Sequence, residues 1–302
     1  MNIIGKRKIW FTIWGIFFVL SVLGIAFRGL KTGLDFTGGS FWEIEGIEDK
    51  EKVKEVLNNF KADVISIDKD GLKLKIKTKV LKEEDHKKIL DEFKNINASK
   101  EVKELKFETI GATVSRDITE KAYISIALAS LLIILYVGWS FRKVSKPVAS
   151  WKYGVCAVLA ILHDVLFVVG IFSILGLLFK TEIDSLFVTA LLTVISFSVH
   201  DTIVIFDRIK ENLKRSEKED FEEIVNDSVL EMIARSINTS LVIILVVLAL
   251  FLIGGETIKT FVLALLLGLI TGTYSSVFIA SPFLVVWKNW DDKRAQKKIS
   301  KL

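Results

Sequence analysis

Six nearly unbroken apolar runs divide the chain: Ile9 to Phe27, Tyr123 to Phe141, Val155 to Phe179, Ser185 to Phe206, Ile237 to Gly254 and Thr260 to Trp287. A helix needs roughly 20 such residues to cross a hydrocarbon core about 30 Å thick, so each run is predicted to be a transmembrane helix. Between the first two runs the pattern changes. Trp42 and Ile44 alternate with Glu43 and Glu45, the period-two signature of a strand with one wet face. Val53, Val56, Leu57 and Phe60 recur at the spacing of an amphipathic helix. Asp70-Gly71 separates Ile65 and Ile67 from the alternating Leu72, Leu74 and Ile76, which predicts a hairpin. Ile89, Leu90, Phe93 and Ile96 give a second helix, and Leu105, Phe107 and Thr109 a last strand. Strand, helix, strand, strand, helix, strand is the order of a split βαβ, ferredoxin-like sandwich of roughly 80 residues.

The predicted fold class is therefore an α-helical polytopic membrane protein with six transmembrane helices. A small α+β ferredoxin-like external domain lies between helices 1 and 2. The expected divisions are residues 1–29 (tail and helix 1), 30–120 (external domain), 121–290 (helices 2–6, with a cytoplasmic loop at 207–234) and 291–302 (basic tail). Within that loop Phe221, Ile224, Val225 and Val229 stand among acids, predicting an amphipathic helix along the membrane surface from Phe221 to Glu231. Gly268 and Gly272 form a GxxxG pair, a spacing that lets helices pack closely, and Pro282 is expected to bend or end the sixth helix.

Composition fits this division: of 302 residues, 51% are hydrophobic and 25% charged, and the charges lie between the apolar runs. The net charge of +5 would suit nucleic acid, but its placement sets orientation instead. Basic residues cluster at Lys6, Arg7 and Lys8; at Arg142, Lys143, Lys146 and Lys152; at Arg208, Lys210, Lys214, Arg215 and Lys218; and at Lys288, Lys293, Arg294, Lys297, Lys298 and Lys301. The short segments on the opposite side hold only Lys180 and Lys259. The positive-inside rule then places both termini in the cytoplasm, while a long segment such as the external domain is translocated regardless of its charge. Span 1 follows a basic stretch like a signal peptide, but its run is long and no A-x-A-like site follows Phe27, so it is expected to be a retained anchor. The single Cys156 allows no disulfide within the chain and reads as a small buried residue.

The informative residues are ionisable groups inside the predicted spans. His163 and Asp164 lie in span 3, His200 and Asp201 in span 4, and Arg235 and Asn238 at the start of span 5. A charge near the bilayer centre costs about 2.5–3.5 kcal/mol on the insertion scale, so such groups are usually paired and usually functional. Counted from the predicted ends, Asp164, Asp201 and Arg235 fall near the middle or in the cytoplasmic half, at depths that would let them meet. Ser198, Asp201, Ile205 and Arg208 share one face of span 4, a polar stripe expected to face other helices or a water-filled path. The expected role of Asp201 is to carry a proton, with Arg235 as its switchable counter-charge. Desolvation favours the protonated carboxyl and a nearby guanidinium the ionised one, so movement of Arg235 would switch Asp201 between them. A static Asp201–Arg235 ion pair is the plainer alternative, as are structural roles for His163 and Asp164. His86, on the edge of an apolar helix face, reads as a packing residue, and Arg208 as a topology anchor.

Three motifs then resemble a known family. Gly33-Leu34-Asp35-Phe36-Thr37-Gly38-Gly39 resembles the glycine-rich signature that opens the external region in the SecD/SecF family of export proteins. The span 4 run from His200-Asp201-Thr202 to Asp207-Arg208-Ile209 resembles that family's SecF version, as does Ala234-Arg235-Ser236-Ile237-Asn238-Thr239-Ser240 at the start of span 5. One departure is Gly111-Ala112-Thr113-Val114-Ser115, where relatives tend to carry a Gly-Pro pair and a second glycine. The resemblance implies a bacterial inner-membrane subunit that works with a SecD chain and the SecYEG channel on an unfolded polypeptide, driven by protons. It also implicates Asp201 and Arg235 in proton transfer, and implies no cofactor and no enzyme activity.

Two other classes remain. A proton-driven exporter of hydrophobic small molecules or lipids would normally carry a larger external domain to hold cargo. An intramembrane metal hydrolase would use the two His-Asp pairs. Adjacent helix residues point about 100° apart, so each pair supplies two ligands awkwardly, and no HExxH pattern is present.

Overall fold

The computed structural model describes residues 2–47, 49–96, 102–142, 147–215 and 220–300. Lys143, Lys146, Lys218 and Lys301, and the side chain of Ile96, lie outside the described residues. Contacts divide the chain into two compact units: Thr32–Tyr123, and Met1–Lys31 together with Ile124–Leu302.

The first unit begins with a one-turn helix, α2 (Leu34–Thr37), and then follows the predicted order: β1 (Gly39–Glu45), α3 (Lys50–Asn59), β2 (Val64–Asp70), β3 (Lys73–Thr78), α4 (Glu83–Ile96) and β4 (Lys103–Ile110). The strands form one antiparallel sheet in the order β2-β3-β1-β4, the ferredoxin-like arrangement. The hairpin turns at Gly71-Leu72, pairing Asp70 with Lys73. Alternation puts Trp42, Ile44, Leu74 and Ile76 on the face that meets Val53 and Leu57 of α3 and Ile89 and Phe93 of α4, all buried in one core. Asp49 caps α3, accepting hydrogen bonds from the amides of Glu51 and Lys52. His86 packs as expected: its ring stacks on Phe107 at 3.8 Å between centroids, and its Nε2 lies 3.0 Å from Glu104 Oε2.

The glycine-rich motif shapes the entry to this sheet. The turn of α2 closes through Thr37 Oγ1, which donates to the Gly33 carbonyl, and the chain then turns through Gly38 and Gly39 at positive φ. At Gly39, φ is +127° and a Cβ would stand 2.5 Å from the Thr78 carbonyl oxygen, so no side chain fits. Gly39→Val is expected to break the Ser40–Thr78 pairing of β1 with β3. Hydrogen exchange would show it as lost protection at Phe41–Glu45; unchanged protection would mean the turn tolerates a side chain.

The second unit is built from α1 (Arg7–Arg28), most of α5 (Ala112–Ser140), α6 (Ser150–Phe179), α7 (Ser185–Arg215), α8 (Phe221–Ile253) and α9 (Glu256–Ser275). From α9 the chain passes through a π-helical turn at Ser276–Ala280 into α10 (Ser281–Ile299). Among the described residues, six helical segments, with α9 through α10 counted as one, are long and apolar enough to cross a membrane. α7 is central, packing against α6, α8 and α9, while α1 packs along α6. Cys156 is buried in α6.

Two expectations need correction. The stretch Phe221–Glu231 is not a separate surface helix but the first turns of α8, continuous with span 5. Its apolar face is covered by protein: Phe221, Val225 and Val229 join a buried cluster with Ile3, Ile4, Phe206 and Ile209. Asn226 fixes the chain's start there by accepting hydrogen bonds from the amides of Ile3 and Ile4, and Arg7 pairs with Glu222. Nor does Pro282 end the sixth helix. It sits in the first turn of α10, where a missing N–H costs least, and the π turn before it takes up the disruption. The basic residues at the helix ends also find partners: Lys152 pairs with Asp291 beneath the Trp287 ring, and Arg208 ties α7 to α8 through Glu231.

Candidate functional site

Close packing of α7 against α9 positions the polar groups. A Cβ at Gly268 would lie 2.1 Å from Val194 Cγ2, and one at Gly272 would lie 3.3 Å from Ser198 Cβ. The GxxxG pair is therefore the seam by which α9 reaches α7. Around that seam Phe197, His200 and Asp201 of α7, Ser240 of α8, and Gly268 and Thr273 of α9 line a cavity of about 130 Å³.

Asp201 is half-buried. Its Oδ2 accepts hydrogen bonds from Ser240 Oγ at 3.0 Å and Ser236 Oγ at 3.4 Å, both from α8. Serines four residues apart fall on one helix face, so α8 presents a pair of hydroxyls to the carboxyl group. No hydrogen bond or ion pair joins Arg235 to Asp201 among the described residues. Arg235 is exposed and lines a second cavity, of about 480 Å³, with Met232, Ser140, Val204, Asp207 and Arg208. The two cavities meet α7 at adjacent turns, since residues three apart rise about 4.5 Å along a helix. Of the other predicted residues, His200 is exposed and lines the Asp201 cavity, while Asn238 is exposed and away from it. Arg208 bonds Glu211 Nη1-to-Oε2 at 2.6 Å as well as pairing with Glu231, and Lys210 pairs with Asp207. Gly33, Asp35, Gly38 and Gly39 belong to the turn that opens the sheet unit.

Asp164 forms a different centre. It is fully buried, with Oδ2 accepting from Ser198 Oγ of α7 at 2.6 Å and from Ser275 Oγ of α9 at 2.7 Å. Its Oδ1 lies 3.0 Å from Nδ1 of His163, itself only 3% exposed. Asp164, Asp201 and Arg235 thus do not gather into one cluster, although their depths would have allowed it. The stripe residue Ser198 stands between the first two: it bonds Asp164 and lines the cavity of Asp201. Thr202, one residue on from Asp201, is buried against Ser276 Oγ at 3.0 Å. Ser236, Ser240, Ser275 and Ser276 join these centres without being predicted as site residues. The available signal was the i, i+4 spacing of Ser236 and Ser240 opposite a carboxylate. No group of three His, Cys, Asp or Glu side chains able to hold a metal occurs among the described residues.

Fold and site together define a polytopic membrane protein whose intramembrane carboxyl groups face other helices. Comparison with known proteins is specific. Residues 88–290 match the family described as protein export membrane protein SecD/SecF, C-terminal. The protein translocase subunit SecF of Thermobaculum terrenum is 47% identical over 278 residues, covering 87% of this chain and 86% of the relative. That of Anaerolinea thermophila is 36% identical and covers 98% of each. The crystal structure of SecDF, a translocon-associated membrane protein from Thermus thermophilus, superposes with a TM-score of 0.79 at 29% identity. That match covers 96% of this chain and 39% of the longer solved chain. A second SecDF crystal structure, in a super-membrane-facing form, superposes with a TM-score of 0.69 at 28% identity. The chain belongs to the SecD/SecF family of protein export membrane proteins, among its SecF members.

Proposed function

We propose that this chain is a subunit of the Sec export machinery that uses a proton gradient, together with a SecD chain, to promote movement of unfolded polypeptide through the SecYEG channel. In this reading it resides in the bacterial inner membrane with both termini in the cytoplasm. Residues 30–120 form the external domain, 207–234 the cytoplasmic connection and 291–302 a basic cytoplasmic tail. No cofactor is required.

The observation that carries the proposal is Asp201: a half-buried carboxyl group in an apolar span, beside a small cavity, held by two hydroxyls and, among the described residues, by no lysine or arginine. Hydroxyls donate to an ionised carboxylate and accept from a protonated one. Ser236 and Ser240 can therefore satisfy Asp201 in both states without moving far, which a proton carrier requires. A salt bridge would instead hold the carboxylate ionised. Arg235, one residue from Ser236, serves as the intermittent counter-charge, reaching Asp201 when α8 shifts along α7.

Arg235→Ala is expected to reduce gradient-dependent export at least tenfold, and Arg235→Lys to recover part of it, since a lysine supplies charge without the guanidinium fork. Equal export by native and Arg235→Ala proteins would remove Arg235 from the mechanism. The function itself is tested with an unfolded secretory precursor in vesicles carrying SecYEG and SecD, with and without this chain. A proton gradient should accelerate export only when the chain is present. If neither chain nor gradient matters, the small-molecule exporter reading takes its place.

A further inference from the structure

Among the described residues, Asp164 is the most enclosed carboxyl group in the helical unit, and the proton chemistry proposed for Asp201 leaves it unused. Three helices converge on it: α6 supplies the carboxyl and His163, α7 supplies Ser198, and α9 supplies Ser275. Gly272 brings α9 this near, since a Cβ there would already be 3.7 Å from Asp164 Oδ2. Two features mark more than a structural knot. On one side, Ser198 lines the cavity that holds Asp201 and His200, while its hydroxyl hydrogen bonds Asp164. On the other, His163 Nε2 is buried with no hydrogen-bond partner, as are Trp14 Nε1 and the Tyr274 hydroxyl. The Trp14 and Tyr274 rings lie 6.4 and 6.2 Å from the imidazole, centroid to centroid. An enclosed imidazole with a free nitrogen beside a tyrosine hydroxyl and an indole N–H is an arrangement able to take up or pass on a proton.

We propose that Asp164, with His163, is a second buried proton-binding site, reached from the Asp201 cavity through the Ser198 hydroxyl. The proposal rests on the proton-coupled reading of Asp201 for its purpose but not for its test. The titratable groups facing the pair are Tyr274 from α9 and, across Ser198, His200 and Asp201 from α7; α1 contributes only Trp14. No lysine or arginine pairs with Asp164 among the described residues. The pair is electrically neutral when it shares one proton, as imidazole with carboxylic acid or as imidazolium with carboxylate. Burial favours either neutral form over the singly charged alternatives. The pair can therefore take up its proton when the site is closed and release it when the environment admits charge. In the transfer, a proton arriving from the cavity side bonds to Ser198 Oγ as the Ser198 O–H proton moves to Asp164 Oδ2. One O–H bond forms and one breaks on Ser198, and Asp164 gains one proton net.

Infrared difference spectra of the full chain in lipid bilayers, titrated from acid to alkaline pH, test this directly. The native protein should show two titrating bands from protonated buried carboxyl groups. Asp164→Asn should remove one and leave the other, and Asp201→Asn should do the reverse. Ser198→Ala leaves both carboxyl groups in the chain and serves if Asp164→Asn does not fold. It should shift the Asp164 band, which loses one of two hydroxyl donors, and slow its exchange in heavy water at least tenfold while leaving the Asp201 band alone. An Asp164 group that stays ionised or stays protonated at every pH overturns the second site, and Ser198→Ala exchange at the native rate overturns the route. Loss of only the Asp201 titration would instead overturn the proposed role of Asp201 and leave this site standing.

Discussion

Asp201→Asn is expected to abolish stimulation of export by a proton gradient while leaving gradient-independent export and association with the SecD partner intact. Asparagine has nearly the shape of aspartate, so the cavity between α7, α8 and α9 keeps its form. Its side-chain oxygen still accepts from Ser236 and Ser240, so packing of α8 on α7 survives. What is lost is the ability to exist in two protonation states. A proton falling through 100 mV delivers about 2.3 kcal/mol, a bias of about 40-fold in a two-state equilibrium at roughly 1.4 kcal/mol per tenfold. That factor, per proton, is the most the substitution can remove from a conformational step. Measured as precursor transported per minute in sealed vesicles, native and mutant proteins should match without a gradient and diverge with one. Matching rates under both conditions would show that Asp201 is structural.

Gly268→Leu should have the largest effect on the fold. A Cβ at Gly268 would overlap Val194, whose β-branched side chain is rotationally restricted, so the helices themselves must separate. Separation would also pull Ser275 from Asp164 and open the cavity beside Asp201. Overpacking of this kind costs about 1–3 kcal/mol or more, enough to lower the yield of folded protein several-fold. Gly268→Ala should fall between, and Val194→Ala should partly rescue the leucine variant. Heat-induced loss of the monodisperse species in detergent would report each step. A leucine variant as stable as native protein would mean that α7 and α9 are not held by this contact.

Much of the architecture was legible in the sequence because the constraints are strong. A bilayer demands about 20 apolar residues per span, and a half-buried sheet demands alternation. Trp42, Ile44, Leu74 and Ile76 therefore fell where the pattern put them. Helix lengths were less legible. Nothing in Lys210 to Arg215 interrupts a helix, so α7 runs on past its apolar part, and α8 begins well before its own. The apolar residues at Phe221–Val229 were visible, but whether such a stripe meets lipid or protein depends on a partner, here the Ile3-Ile4 segment, that is distant in the chain. The carboxyl groups stood out because charge is rare in a span. Their hydroxyl partners did not, because serine is common in membrane helices and only helix rotation decides which one faces the carboxylate. Depth and the family resemblance put Arg235 with Asp201, but neither fixes helix rotation, which turns Arg235 into the neighbouring cavity.

The central claim, that Asp201 carries protons, is tested most directly by following proton movement itself. Sealed vesicles containing the chain with its SecD partner would be loaded with a pH-sensitive dye and given an inward proton gradient. Native protein is predicted to acidify the lumen faster than protein-free vesicles, and Asp201→Asn to reduce that rate to background. Acidification by the Asp201→Asn protein at the native rate would contradict the account.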